Sequence, residues 1–225
     1  MATIAAKQEY WNLVEMHSAA VPVPKPQFRT ENILIMDFIT ANGHNTAPAP
    51  LLRDVNLKKA GFDVEDVLYE AIDILAEIFL KAHYIHGDYS EHNLMITNPG
   101  PGTTENGLIT MDVSQSVQYN QKTFIETPER IRIDKAVDLL ETDLFNLNLH
   151  FQKKYRRYVD ATEVCEQIIQ DLPPKLREFY KIHQQDSQGY IDSADMEDTL
   201  CAKWQYREQA VLGLTGRQAQ KTKRQ

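Results

Sequence analysis

From residue 64 to residue 83 the chain reads VEDVLYEAIDILAEIFLKAH, and Val64, Val67, Leu68, Ala71, Ile72, Leu75, Ile78, Phe79 and Ala82 recur every three or four positions. That spacing places them on one broad stripe of a helix, which must bury against a core. Asp63, just ahead of the stripe, is the expected N-cap. Whatever follows such a helix is held at the edge of the core. Here it is HGDYSEHN, residues 86–93, then two short apolar runs, LMI at 94–96 and LITMDV at 108–113, separated by NPGPGTTENG. A proline- and glycine-rich segment between two apolar runs predicts a β-hairpin.

The flanking segments are also legible. Residues 5–19, AAKQEYWNLVEMHSA, predict a helix with Trp11, Leu13, Val14 and Met16 as its apolar bulk, stopped by the prolines of VPVPKP at 21–26. ENILIMDFI at 31–39 predicts a buried strand, and TANGHNTAPAP at 40–50 a loop of turn formers. Val137, Leu140, Leu144, Leu147 and Phe151 give a helix over 134–151 one apolar side, and further helices are expected at about 161–170, 174–184 and 194–212. The tail GLTGRQAQKTKRQ, 213–225, has four basic residues and no acidic ones, and is expected to be disordered. No internal repeat is visible.

Bulk properties exclude several classes. With 225 residues and 42% apolar residues, the chain has enough for one packed domain plus an appendage. The formal charge of -8 disfavours nonspecific nucleic-acid binding by the domain as a whole. No run of 18 apolar residues offers a membrane span, and MATIAAKQEY lacks the apolar core of a signal peptide. Cys165 and Cys201 match no metal spacing and read as reduced thiols of an intracellular protein.

The predicted hairpin has a chemical consequence. It brings Asn93, just before its first strand, close to Asp112 at the end of its second, with Asp88 across a small gap. Phosphoryl transfer from ATP uses such a set: one carboxylate positions the nucleophile, while an asparagine and a second carboxylate hold Mg²⁺ on the phosphates. Mg²⁺ prefers oxygen ligands and keeps several waters, so few protein ligands suffice.

At these residues the chain resembles a known family. HGDYSEHN followed by MDVSQSV is similar to the catalytic loop and metal strand of the RIO family of atypical serine/threonine protein kinases, above all its first subfamily. The resemblance extends through EYWNLVEMHSAAVPVPKP, ILIMDFI, APAPLLRDVNL and DLFNLNLHF, so it runs from about residue 7 to 155. It implies an α+β, protein-kinase-like fold: a partial N-lobe over 5–39, a mostly helical C-lobe over 40–212 and the basic tail. It implies ATP and Mg²⁺ as cofactors, Asp88 as the catalytic aspartate, and Asn93 and Asp112 as metal ligands. Asp112 is further implied as acceptor of an aspartyl-phosphate. Met36 stands at the gatekeeper position, the backbone of Asp37 and Ile39 would meet the adenine, and Glu9 matches the structural helix glutamate. Ser90 and Glu91 match the signature as loop-shaping residues. The implied setting is cytoplasmic maturation of the small ribosomal subunit, with the pre-ribosomal particle as partner and an rRNA contact through the tail as the minority reading.

The chain departs from the family pattern in two places. A kinase needs a glycine-rich loop over the phosphates and a strand lysine paired with the helix glutamate. Only MATIAAKQ precedes Glu9; it holds no glycine, and its Lys7 shares the predicted helix. The expectation is a truncated product or a degraded relative whose phosphoryl transfer, as this chain alone, is slow or undetectable. The segment 119–137 is also longer than the family's connection there. Other readings stay open: a non-catalytic kinase-like interaction module, or a small-molecule phosphotransferase of the aminoglycoside or choline kinase type. A further alternative is a zinc hydrolase built on His83, His86 and His92 with Asp88. Glu9 reads equally as a solvated helix residue, and His86 and Asp143 as structural residues bracing the loop.

Overall fold

The computed structural model describes residues 2–41, 47–97, 107–119, 130–131, 133–178 and 180–181. The chain divides into two compact units, Met1–Arg177 and Glu178–Gln225, and every element named below lies in the first. The predicted helix at 194–212, the tail and most of the 119–137 segment lie outside the described residues.

Helix α1 (Ala2–Ser18) buries Leu13 and Met16. It ends without glycine: Ala20 takes the left-handed conformation at φ 60°, and Val21 N donates to Met16 O, closing the last turn before Pro22. Trp11, expected as apolar bulk, faces outward instead. Strands β1 (Pro26–Arg29) and β2 (Leu34–Met36) pair antiparallel, with a register shift between Pro26 and Phe28. The buried strand expected over 31–39 is therefore three residues long and not buried, with Ile35 in the strand 49% accessible and Ile33 and Phe38 outside it 58% and 64% accessible. The reason is that this is a two-stranded ribbon, so its strands lack the double-sided cover that a continuous apolar run led one to expect.

Beyond the ribbon lies the core. A 3₁₀ turn (Leu52–Asp54) and the short helix α2 (Leu57–Ala60) lead into α3 (Val64–Glu77). Asp63 caps α3 as expected, its carboxylate accepting from the backbone of Glu65 and Asp66. The predicted stripe is buried to its end, but its last turn, Ile78–Ala82, winds as a π-helix that stops at His83, φ 61°. The Tyr119 hydroxyl donates to the Phe79 carbonyl at 2.7 Å, giving that π-turn carbonyl a long-range partner. Helix α4 (Ile133–Tyr155) carries the expected apolar side, runs past both ends of its pattern, and packs on α3 and on α5 (Ala161–Gln170).

Short strands complete the framework. β3 (Tyr84–Ile85) pairs antiparallel with β6 (Val117–Tyr119), which pairs parallel with β7 (Arg130–Ile131). β4 (Leu94–Ile96) and β5 (Leu108–Thr110) form the expected hairpin, in register Leu94↔Thr110, Met95↔Ile109 and Ile96↔Leu108. The second strand stops at Thr110 rather than running to 113, because Asp112 takes φ 52° and breaks the extended chain. No described helix is long and apolar enough to cross a membrane.

Candidate active site

The loop between β3 and β4 is built around a buried imidazole. His86 is fully buried, and burial pushes its pKa down to about 4, so the ring is neutral at pH 7. Its Nδ1 accepts from Asp88 N at 3.3 Å, which leaves the proton on Nε2, and Nε2–H donates to Met111 O at 3.1 Å. One side chain thus ties the backbone beside Asp88 to the backbone beside Asp112. The Ser116 hydroxyl donates to His86 O, and Asn12 of α1 donates to Val113 O and Ser116 O at 2.8 and 3.0 Å. Asn12 was not visible as a site residue, because its partners lie 101 and 104 positions away.

A second brace comes from α4. Asp143 is buried to 1% and accepts from Gly87 N at 2.9 Å and Tyr89 N at 3.1 Å, one bond to each carboxylate oxygen. Burial, only partly offset by these two bonds, pushes its pKa up to about 6. The bracing role expected for Asp143 and His86 is what the geometry has. Tyr89 anchors the loop from below, its buried hydroxyl donating to Ala71 O of α3 at 2.7 Å. Gly87 permits the approach: its φ is +83°, and a Cβ there would lie 3.1 Å from Gln115 O. Gly87→Ala is expected to destabilise by about 1–3 kcal/mol, the cost of a strained backbone position, read as a lowered thermal midpoint.

These braces set the expected residues. Asn93 Nδ2 donates to Asp88 O at 2.8 Å and to Asp88 Oδ2 at 3.1 Å, so Asp88 and Asn93 touch. Met111 N donates to Asn93 O at 2.8 Å, which places Asp112 directly after the Asn93 backbone contact. Asp112 is exposed, and its Oδ1 accepts from the Ser114 hydroxyl at 2.7 Å. Asp88, Asn93 and Asp112 are thus gathered at one end of the hairpin. Glu9 joins them from α1: its carboxyl is pushed up by burial and then by the Asp112 charge. Among the described residues Glu9 has no ion-pair partner.

The residues expected at the adenine lie on the other side. Met36 closes β2 opposite Pro26. Asp37 N donates to Lys25 O and Ile39 O accepts from Ala49 N, both at 2.9 Å, leaving the Asp37 carbonyl and the Ile39 N–H outside these bonds. The chain after this segment returns to the hairpin, where Ile96 N donates to Pro50 O and Arg53 N to Glu91 O. The signature residues Ser90 and Glu91 shape the loop: Ser90 Oγ accepts from His92 N at 3.4 Å, and Glu91 lies 3.5 Å from His92 and 3.4 Å from His150.

The oxygen donors suit Mg²⁺. The Asn93 amide nitrogen is spent on Asp88, which leaves its carbonyl oxygen for a cation, and the exposed Asp112 carboxylate supplies the charge. No group of three or more His, Cys, Asp or Glu is arranged to hold a metal among the described residues.

A two-stranded ribbon joined to a helical body, with an Asp–Asn loop and a second Asp at a hairpin end, is a protein-kinase-like arrangement. The Rio2 kinase–ADP/Mg²⁺–phosphoaspartate complex from Chaetomium thermophilum has this fold, with a TM-score of 0.54 at 16% identity, over 93% of this chain and 55% of that one. The RIO domain family model matches residues 1–164, and the chain belongs to that family. The RIO1 serine/threonine-protein kinase of Caenorhabditis elegans is 27% identical over 76% of this chain and 29% of its own length. The RIO-type kinase Rio1 of Thermoplasma acidophilum is 27% identical over 78% of this chain and 71% of its own. The chain spans 29% and 24% of the Caenorhabditis elegans and Dictyostelium discoideum relatives. The resemblance read from HGDYSEHN and MDVSQSV, and the α+β kinase-like fold it implied, are both borne out.

Proposed function

We propose that this chain is a RIO-type serine/threonine protein kinase or ATPase acting on Mg-ATP. The observation that carries the reading is the gathering of Asp88, Asn93 and Asp112 at one hairpin end by His86 and Asp143. In this reading the Asp37 carbonyl and Ile39 N–H hold the adenine edge, with Met36 behind it. Asn93 and Asp112 hold Mg²⁺, which neutralises phosphate charge when bound. Asp88 accepts the proton of the attacking hydroxyl and orients it. Asp112 is the alternative acceptor: its carboxylate oxygen bonds to the γ-phosphorus as the bond to ADP breaks. The relative named for its phosphoaspartate supports that branch. Glu9 remains the residue that a strand lysine would pair with.

The partners and setting rest on family membership alone: the pre-ribosomal small-subunit particle, in the cytoplasm. The proposed division remains a partial N-lobe over 5–39, a C-lobe over 40–212 and a basic tail.

Calorimetry with ATP, with and without Mg²⁺, tests the reading. Binding is expected to be Mg²⁺-dependent, and Asp112→Ala is expected to remove the Mg²⁺-dependent part, roughly tenfold or more in affinity. Absence of any nucleotide binding would instead support the non-catalytic interaction module. Tight binding indifferent to Asp112→Ala would sink the metal assignment.

A further inference from the structure

Between the loop and the C-terminal half of α4 lies a groove of about 460 Å³. Asp88, Ser90 and Glu91 form one wall, and Asn146, His150 and Lys153 stand along the other, on one face of α4. We infer that this groove receives the acceptor segment of a protein substrate, and that Lys153 selects an acidic side chain a few residues from the acceptor hydroxyl. The inference rests on the kinase reading of Asp88 and names the substrate class for it.

Charge distribution carries the argument. Lys153 is exposed at the groove and has no ion-pair partner among the described residues. Its neighbour Lys154 lines the same groove but is fixed, donating to Arg53 O at 3.0 Å and Val55 O at 2.8 Å. Lys154 therefore adds positive potential without being free to reach a ligand. One carboxylate oxygen of Glu91, Oε1, lies 3.4 and 3.5 Å from the imidazoles of His150 and His92. His150 is itself buried. The groove thus has a free cation at one end and Asp88 at the other.

Helix geometry sets the spacing. Asp143 bonds the backbone on both sides of Asp88, and Lys153 lies further along the same helix, about 15 Å away at 1.5 Å rise per residue. An extended peptide covers that in about four to five residues at ~3.3 Å each. Asn146, between the two ends, has both a donor and an acceptor for a peptide backbone. A polynucleotide fits worse, because its phosphates would meet the carboxylates of Asp88 and Glu91.

Labelled serine peptides, with one aspartate walked stepwise away from the serine on either side, test this by fluorescence anisotropy without any turnover. Tightest binding is expected with the aspartate about four to five residues away, about fivefold over a lysine-bearing twin. Lys153→Glu should reverse that preference at an unchanged thermal midpoint, since the side chain is exposed. Equal binding of both twins, no binding, or a preference untouched by Lys153→Glu overturns the inference, as does Lys153-dependent capture of a single-stranded RNA in place of the peptides. Because this readout needs no nucleotide, loss of the kinase reading in the calorimetry and loss of the groove assignment here are separate results.

Discussion

Asp88→Ala is expected to lower phosphate transfer from labelled ATP by about 10²- to 10⁴-fold while leaving Mg²⁺-dependent nucleotide binding in place. The asymmetry follows from what Asp88 touches. Its carboxylate meets the Asn93 amide and lines the groove, so on the proposed reading its removal costs the acceptor hydroxyl its proton acceptor and its orientation. Asp112→Ala should lose both binding and transfer, because in the proposed reading that carboxylate is the charged member of the metal pair. Turnover measured beside calorimetry for the two variants separates these roles. If Asp88→Ala transfers phosphate like the parent chain, Asp88 is a loop residue and the assignment of the site falls.

The second large effect is expected at Asp143, which touches no substrate. Asp143→Ala leaves the Gly87 and Tyr89 N–H groups buried without partners, at about 1–3 kcal/mol each, so a total loss of about 2–4 kcal/mol is expected after the relief of a buried charge. Urea unfolding measures it. A cost below about 0.5 kcal/mol would show that the carboxylate does not hold the loop. The milder Asp143→Asn has a pH signature. The Asp143 pKa is raised to about 6 in the fold, so its contribution is full below its unfolded pKa near 4 and is lost as pH rises through about 6. His86, lowered to about 4, has the opposite sign: its stability is present above the unfolded value near 6.5 and is lost as pH falls through about 4. In the parent chain the two slopes oppose each other between pH 4 and 6. In Asp143→Asn only the His86 slope remains, and stability should rise with pH there by up to about 1.4 kcal/mol per pH unit. An unchanged profile would contradict the burial of either group.

The grouping of Asp88, Asn93 and Asp112 could be read from sequence because these residues lie on local structure. Asp88 and Asn93 share one loop, and hairpin pairing alone carries Asp112 to Asn93, so periodicity and turn chemistry were enough. The α3 stripe and its Asp63 cap were legible for the same reason: both are written within a few turns of helix. The β3–β6–β7 sheet was not, because strands of two or three residues have no period to detect. Burial of residues 31–39 was misjudged because an apolar run shows what a strand could cover, not whether a layer covers it.

What the sequence by itself determined is the chemistry at hand: an Asp, an Asn and a second Asp on a loop and hairpin behind a core helix, and membership of the RIO family through the motifs around them. What only the tertiary structure decided is how those groups are held and charged. Asn12 reaches Val113, Asp143 reaches Gly87 and Tyr89, and Tyr119 reaches Phe79 across separations of 101, 56, 54 and 40 residues. Each of these is a single polar side chain satisfying buried backbone groups, and its partner exists only once the chain has closed around it. The same closure sets the His86 and Asp143 protonation, since desolvation depends on what surrounds a group rather than on its neighbours in sequence.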